Sequence, residues 1–589
     1  MCQRELTRKV RWGSVYPRLS LLVVAGILLA VYLLLAMLIL PPDIFFMGDQ
    51  GPKFLGVESW AESGFTDGSI PYPGAALDPG ERFAPTNPDF LSPAFQHRDG
   101  KTYAKWTELF LLPNALLFTL MGYRGLYLLS LIPAVGTSLL SADMARRLGL
   151  SYPPLIALMT GLATPILFYA VEFWEHSLAV FLATGGLALF VAAVLRRGIA
   201  RARLLAGGIL MGLAPILRAE LYFLPIALGL AAILLWRDLH RVWRHFSWMA
   251  LGFVLPIGLY WLFNLYRLGT PNLVVTSETA LFLPYDRWTV VRLFVMPAGI
   301  KKWGLVLGMT VVAVAGQRWV RQIPWIGSPW LAPALIVGGA VVIVLVHLMH
   351  GHVPSISLTD PFPLAFFAVV GLVGPWGTEG RMRVLPLLSI TGGIYLLFTA
   401  LFARHWGGAG WGPRYTLVLY PILVLMAWYG LDHLRSHPIQ DGFRGMLSVG
   451  FVLLVILSFI IQGAGIHRMW TFKQGFQSMI QTAMTLKPSL FVTPIRWYPE
   501  MMAPVYHELI IFGVTDTEQM EALVDLLSRE EIEQLWWVTM ADPERYLDAV
   551  RDPYLLDPLL GTRLKEDQRV AVTLGDGVLE YVLFSIQGP

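Results

Sequence analysis

Several side chains that could carry out chemistry stand where long apolar runs of this sequence begin or end. They are three carboxylates, one imidazole and four cations: Asp49, Glu172, Glu175, His176, Lys53, Arg218, Arg404 and Arg414. An ionisable group near the membrane plane is costly to bury, so it usually faces a cavity or a partner. A carboxylate can accept the proton of an attacking hydroxyl group, and a guanidinium group binds phosphate through paired hydrogen bonds. These residue types are suited to group transfer from a phosphate-bearing molecule at a membrane surface.

The composition indicates a membrane protein. Of 589 residues, 56% are hydrophobic and 14% are charged, against about 25% charged in an ordinary soluble domain, and the mean hydropathy is +0.59. Repeated apolar runs long enough to cross a bilayer account for this excess. No basic tract is interleaved with aromatic residues, so nucleic acid is not an expected partner. The single cysteine, Cys2, excludes an intrachain disulfide.

The apolar runs predict an all-α polytopic bundle over residues 1–465. Ser20 to Leu40 is longer than the roughly 7–15 residues of a signal-peptide core and is predicted to be a retained first helix. Lys and Arg gather in the loops of one side, which predicts about thirteen transmembrane helices, a cytoplasmic N-terminus and an inner or plasma membrane location. The polar segment 41–106 is then the first outer loop. The third span is predicted at Pro154–Val171, and three later ones at Trp303–Gly316, Leu331–Leu348 and Pro361–Trp376.

From Ile466 the composition becomes charged, and residues 466–589 are predicted to form a small extracytoplasmic α/β domain. The predicted strands are Leu490–Thr493, Leu509–Val514, Leu535–Thr539 and a hairpin of Arg569–Leu574 with Val578–Ile586. Helices are predicted at Pro499–Tyr506 and Thr517–Leu527, the latter with a capping box of Thr515 and Glu518. This domain has no Gly-rich phosphate loop and no nucleophile elbow, so we expect it not to be the catalytic part.

Four short motifs give the first 465 residues a resemblance to a known superfamily. They are Gly48-Asp49-Gln50; Glu172 and Glu175 after Pro165 and Phe168-Tyr169; Asn264 with Arg267-Leu268-Gly269-Thr270-Pro271; and Trp411-Gly412-Pro413-Arg414-Tyr415 followed by Tyr420-Pro421. In these motifs and in topology, the chain resembles the GT-C membrane glycosyltransferases, particularly the protein O-mannosyltransferase and aminoarabinose transferase branch.

The resemblance implies that the chain moves a sugar from a polyprenyl phosphate to an extracytoplasmic lipid, glycan or protein acceptor. It places the catalytic carboxylate on Asp49. Many members have Asp-Glu at this motif, whereas this chain has Asp49-Gln50, so any task of a second carboxylate must move elsewhere or be absent. A phosphate leaving group needs cations that stabilise its developing charge. Arg414, with Arg404 or Arg218 behind it, is the expected provider, and Lys53, in the motif after Asp49, is a further candidate phosphate ligand. The donor carries no nucleotide, and no nucleotide-binding domain is visible.

Each assignment has an alternative in the sequence. Asp49 could be an ordinary loop residue, and Arg414 could bind the carbonyls of its Gly-rich loop. Glu172, Glu175 and His176 could bind a divalent metal together with Asp49, but they lack a specific ligand spacing, so a solvated helix end or a packing role is favoured.

Two further alternatives concern the Arg218–Glu220 pair and the function of the whole chain. Arg218 and Glu220 could simply neutralise one another. The chain as a whole could be a transporter or flippase of lipid-linked glycans, although no related halves are visible, or an inactive membrane scaffold.

Overall fold

A computed structural model describes most of the chain. The described residues are 16–87, 90, 94–195, 200–235, 239–268, 358, 361–365, 367–368, 384–402, 411–412, 414–436, 441–486, 490–542, 555–574 and 577–587. The spans predicted at Trp303–Gly316 and Leu331–Leu348, most of the one at Pro361–Trp376, and Arg404 lie outside these residues.

Helices make up most of the described structure. The α-helices are α1 (Tyr16–Leu34), α2 (Gln50–Glu62), α3 (Glu108–Met121), α4 (Leu128–Leu148), α5 (Pro153–Leu162), α6 (Ile166–Ala170), α7 (His176–Val194), α8 (Arg201–Leu217), α9 (Phe223–Leu235), α10 (Leu239–Leu268), α11 (Val384–Phe402), α12 (Leu419–Ser436), α13 (Asp441–Thr485), α14 (Trp497–Met501) and α15 (Thr517–Arg529). A π-helical turn, Leu35–Ile39, extends α1.

Six helical segments among the described residues are long and apolar enough to cross a membrane. They are Ser20–Ile39, Glu108–Leu148, His176–Val194, Trp243–Tyr266, Val384–Phe402 and Ser448–Thr485. The protein is therefore an integral multi-pass membrane protein, as its composition predicts. The total of about thirteen spans and the side on which each terminus lies stay predictions.

The chain divides into two compact units. The first contains Met1–Leu34, Leu129–Val274 and Glu278–Ile466, and the second contains Leu35–Leu128, Val275–Ser277 and His467–Pro589. The first-loop residues thus belong to the same compact unit as the C-terminal residues. The assignment of 1–465 and 466–589 to separate domains stays a prediction.

In the first unit, glycines let three helices pack backbone to backbone. A β-carbon on Gly208 of α8 would collide with the Met249 carbonyl oxygen, and one on Gly252 of α10 would collide with the Leu205 oxygen. A β-carbon on Gly186 of α7 would lie 2.7 Å from the Gly207 oxygen. Small residues of this kind are typical of helix contacts inside membranes.

The third predicted span is not one helix. Helix α5 ends at Leu162 and α6 begins at Ile166, because Pro165 between them has no amide to continue the hydrogen-bond ladder. The Thr164 hydroxyl accepts the Ile166 amide at 3.3 Å and donates to the Thr160 carbonyl at 2.6 Å. The break ends in the short helix that leads to the acidic loop.

The second unit contains a five-stranded mixed sheet. Its strands are β3 (Leu490–Thr493), β4 (Ile510–Gly513), β5 (Gln534–Met540), β6 (Leu564–Leu574) and β7 (Gly577–Ile586), after a first-loop hairpin of β1 (Phe95–Arg98) and β2 (Lys101–Ala104). The order is β4-β3-β5-β7-β6. Strand β3 runs parallel to β4 and β5, and β7 runs antiparallel to β5 and β6. The predicted mixture of strands and helices is confirmed.

The predicted capping box of α15 is wrong by one residue. The N-cap is Asp516, not Thr515, and its carboxylate accepts the Gln519 amide at 2.9 Å. In return, the Gln519 side chain accepts the Thr515 amide at 2.9 Å. The pattern differs from a capping box in that the N3 side chain accepts the amide of the residue before the cap, and Asp516 rather than Thr515 takes the cap position.

Candidate active site

The acidic motif of the first loop lies at the N-terminus of α2. Asp49 directly precedes the helix, and Gln50 begins it. The Gln50 side-chain oxygen accepts the backbone amides of Phe46 at 2.8 Å and Met47 at 2.9 Å, and Gln50 is fully buried. The second position of the motif therefore fixes the turn before the helix. The Asp49 side chain keeps 30% of its surface exposed, so solvent reaches the Asp49 carboxylate but not the Gln50 side chain.

A buried cation accompanies Asp49. The Lys53 ammonium lies 3.5 Å from Asp49 Oδ2, one helical turn along α2, and the Lys53 side chain is completely buried. The ammonium also lies 5.0 Å from the centre of the Trp106 ring, a cation–π distance. Lys53, which the sequence predicts to bind phosphate, is thus paired with Asp49 in this structure.

A second carboxyl group approaches the motif from the C-terminal part of the chain. Glu500, at the end of α14, packs against the motif glycines: a β-carbon on Gly48 would collide with Glu500 Oε2, and one on Gly51 would collide with the Glu500 carbonyl oxygen. Loss of solvent around the carboxyl group, followed by the nearby negative charge of Asp49, raises the pKa of Glu500 to about 8. The fold therefore brings a second carboxyl group, that of Glu500, to the motif that contains Asp49.

The acidic cluster between α6 and α7 is buried. Glu172, Glu175 and His176 are each at most 1% exposed, so the prediction of a solvated helix end is wrong. The His176 ring lies 5.1 Å from the Tyr169 ring and 5.2 Å from the Trp174 ring. Aromatic packing therefore shapes this loop, and buried carboxylates of this kind need cations beside them.

Arg218 supplies such a cation. Its guanidinium donates to Glu175 Oε1 at 3.2 Å and to Glu220 Oε1 at 3.0 Å. The same group lies 5.6 Å from the centre of the Tyr415 ring, and the Arg414 guanidinium lies 5.3 Å from that ring. Two of the predicted phosphate ligands, Arg218 and Arg414, thus share one aromatic ring in the first unit.

Hydrogen bonds hold the Trp-Gly-Pro-Arg-Tyr motif in place. Trp411 Nε1 donates to Gln462 Oε1 at 3.2 Å, and the Gln462 amide donates to the Pro361 carbonyl at 2.6 Å. Gly412 has a φ of +72°, a conformation that a residue with a side chain rarely adopts. The Tyr395 hydroxyl donates to the Tyr415 carbonyl at 2.7 Å, which holds the backbone of the residue whose ring the two arginines share.

The predicted site residues fall into two groups, one in each unit. Asp49 and Lys53 lie together in the second unit; the remaining described ones, Glu172, Glu175, His176, Arg218 and Arg414, lie in the first. Within the described part of the chain, no three His, Cys, Asp or Glu side chains are grouped so that they could hold a metal ion. The sequence interpretation missed Glu500, for which the only signal was the pair of glycines that enclose Asp49-Gln50.

The chain is similar to known proteins in structure but not detectably in sequence. No protein-family model and no curated protein matches the sequence. The apo crystal structure of the oligosaccharyltransferase of Archaeoglobus fulgidus is similar over 94% of this chain and 74% of its own, with a TM-score of 0.52 and 12% identity. The fold is that of the GT-C enzymes. The GT-C resemblance predicted from the motifs is confirmed at the level of fold.

Two further GT-C structures are similar to this chain. The Archaeoglobus fulgidus enzyme AglB, in complex with an inhibitory peptide and a dolichol-phosphate, matches 96% of this chain and 74% of its own, with a TM-score of 0.50 and 11% identity. ArnT from Cupriavidus metallidurans bound to undecaprenyl phosphate matches 98% of this chain and 100% of its own, with a TM-score of 0.49 and 15% identity. At 11–12% identity, the likeness to the Archaeoglobus fulgidus structures shows the fold and not the activity.

Proposed function

We propose that this protein is a GT-C glycosyltransferase that moves a sugar from a polyprenyl phosphate to an extracytoplasmic acceptor. The observation that carries the proposal is the Asp49 site: a partly exposed carboxylate at the N-terminus of α2, with the buried ammonium of Lys53 beside it. A carboxylate with this exposure can reach the hydroxyl group of an acceptor, whereas a purely structural carboxylate at a helix start would accept backbone amides. The Asp49 side chain makes no such capping bond.

The chemistry is a direct displacement at the anomeric carbon of the donor sugar. Asp49 accepts the proton of the acceptor hydroxyl group while the hydroxyl oxygen bonds to the anomeric carbon. The bond from the carbon to the phosphate oxygen breaks, and the phosphate leaves with the electron pair. General-base catalysis of this kind contributes about 10²- to 10⁴-fold to a rate.

Arg414 is the proposed phosphate ligand, because a guanidinium group forms paired bonds to phosphate oxygens. Arg218 has two carboxylate partners of its own, so we assign it to support Arg414 through the Tyr415 ring. Arg404 keeps its proposed phosphate role from the sequence. Glu175 holds Arg218 through an ion pair of 3.2 Å, and Glu172 and His176 are buried in the same loop. A polyprenyl-phosphate donor in the bilayer agrees with the dolichol-phosphate complex of the similar archaeal enzyme.

The test is sugar transfer by the purified protein. Wild type, Asp49→Asn and the control Asp43→Asn are incubated with a panel of radiolabelled polyprenyl-phosphate sugars and a membrane extract as acceptor. Asp43 is exposed in the same loop, so its variant controls for the loss of a loop charge. We expect transfer by wild type and the control, and a loss of about 10²- to 10⁴-fold in Asp49→Asn.

Two outcomes would contradict the proposal. Full transfer by Asp49→Asn would exclude Asp49 as the base. No transfer by folded wild type from any donor of the panel would reject the transferase assignment and favour transport or scaffolding.

A further inference from the structure

The Gly48-Asp49-Gln50-Gly51 segment is shaped around one residue of the C-terminal part, Glu500. At Gly48 the obstacle to a side chain is the Glu500 carboxyl group, and at Gly51 it is the Glu500 backbone. At both glycines, therefore, a side chain would collide with the same residue, Glu500. Such close approach of two backbones is a common reason for glycine in a short motif.

The position of the carboxyl group matters chemically. Glu500 Oε2 lies against Gly48, the residue directly before Asp49. Two carboxyl groups that share a site cannot both ionise easily, and the one in the less solvated position holds its proton to higher pH. When the surroundings push the pKa values of two neighbouring acids apart, the two acids can take different catalytic roles. Here the charge of Asp49 contributes to raising the pKa of Glu500 to about 8.

The neighbouring position in sequence, Gln50, has no room for this role. Its side-chain oxygen already accepts the Phe46 and Met47 amides, and the residue is fully buried. A carboxyl group that acts beside Asp49 must therefore come from another part of the fold. Glu500 belongs to the C-terminal segment of the second unit, His467–Pro589, and contacts the motif from there.

We propose that Glu500 is the second carboxyl group of the Asp49 site and that it positions Asp49 to accept the acceptor's proton. This inference rests on the proposed transferase function. With its proton in place, Glu500 contributes an O–H donor and no charge. Ionised Glu500 adds a second negative charge at the site, which repels a phosphate-bearing donor and lowers the rate.

Further charged groups lie on the elements around Glu500. They are Lys53 and Glu58 on α2, and Arg496, His507 and Glu508 beside α14. Lys53 is paired with Asp49, and Glu58 is paired with His507 at 3.3 Å. The negative charge that acts on Glu500 most strongly is that of Asp49.

The first experiment measures transfer against pH for Glu500→Gln, Glu500→Ala and Gly48→Ala. Glu500→Gln keeps a neutral donor, so we expect a rate within about threefold of wild type at pH 7 and no decline above about pH 8. Glu500→Ala should lower kcat by at least about tenfold with little change in KM. Gly48→Ala should act like Glu500→Ala, because the new methyl group displaces the carboxyl group without removing it.

Gly80→Ala is the matched control, since a β-carbon there meets no atom within 4 Å. Wild-type rates and an unchanged pH profile in Glu500→Ala, with wild type active, would overturn the inference and leave the proposed function intact. An inactive but folded Glu500→Gln would overturn it as well, because the neutral form would then not suffice.

A second measurement does not depend on activity. Infrared difference spectra of wild type minus Glu500→Gln report the C=O band of a protonated carboxyl group. We expect this band at pH 7, with a midpoint near the pKa of about 8 that falls in Asp49→Asn. Absence of the band at pH 7 would overturn the inference even if no donor sugar had been identified.

Discussion

Lys53 and Asp49 form an ion pair of 3.5 Å in which the ammonium is completely buried and the carboxylate is 30% exposed. Because their exposures differ, removal of one partner should cost a different free energy of unfolding from removal of the other. A buried charge whose counter-charge is removed destabilises a protein far more than a solvated charge in the same position. Asp49 is therefore the anion that balances Lys53, in addition to the role of proton acceptor that we propose for it.

Removal of Asp49 should destabilise the protein more than removal of Lys53. We expect Asp49→Asn to lower the free energy of unfolding by about 3 kcal/mol and Lys53→Met by about 1 kcal/mol. The double variant should recover part of the Asp49→Asn loss, because it removes the buried charge as well. Thermal unfolding in detergent measures this, with Lys101→Met, at a lysine whose side chain is 54% exposed, as the control. Equal losses in the two single variants would contradict the unequal burial.

Substitution of Gln50 should damage the fold of the motif. Gln50→Ala removes the acceptor of the Phe46 and Met47 amides, and a buried donor that loses its acceptor costs about 1–3 kcal/mol. Gln50→Glu keeps an acceptor but places a buried charge next to Asp49, so we expect lower thermal stability and no gain in transfer. A faster Gln50→Glu enzyme would show that the second position of the motif can take a catalytic carboxylate.

Arg218 and Arg414 should respond differently to the same change. Arg218→Met removes the cation between buried Glu175 and Glu220, which should cost about 3–5 kcal/mol of stability. Arg414→Met should raise the KM for the donor by about 10- to 100-fold, the value of a hydrogen bond to a charged group. Unfolding temperatures and donor KM values together check this. A stable Arg218→Met with a raised KM would make Arg218 a direct phosphate ligand.

The pair of His507 and Glu58 should make stability depend on pH. A hydrogen bond to Glu58 raises the pKa of His507, so the folded state favours the protonated imidazole. That stabilisation is complete below the ordinary His pKa of about 6.5 and is lost as the pH rises through the raised value. The unfolding temperature of Glu58→Gln should thus lie below that of wild type at pH 6 and approach it at alkaline pH. A difference independent of pH in Glu58→Gln, or a similar trend in the exposed control Glu530→Gln, would contradict the pair.

Features with a local cause could be predicted from the sequence. The first span follows from an apolar run that matches the bilayer thickness. Strand β3 is found at Leu490–Thr493 as predicted, because a short apolar run bounded by turn residues carries its own signal. The N-cap of α15 was misplaced by one residue because Thr515 and Asp516 are both good N-caps, and only the backbone geometry decides between them.

Features with a tertiary cause could not be predicted. The break between α5 and α6 depends on Pro165 inside an apolar run, and a membrane helix tolerates proline often enough that the residue alone does not end the span. Glu500 lies in a region without any catalytic motif, and its contact with Gly48 joins distant parts of the chain. The burial of Glu172 likewise depends on helices that surround the loop, and no spacing in the sequence reports it.

The contact between Gly48 and Glu500 links the evolution of two distant positions. A side chain at position 48 and a long acidic side chain at position 500 would claim the same space. Homologous chains should therefore change these positions together: a larger residue at 48 should occur with a shorter one at 500.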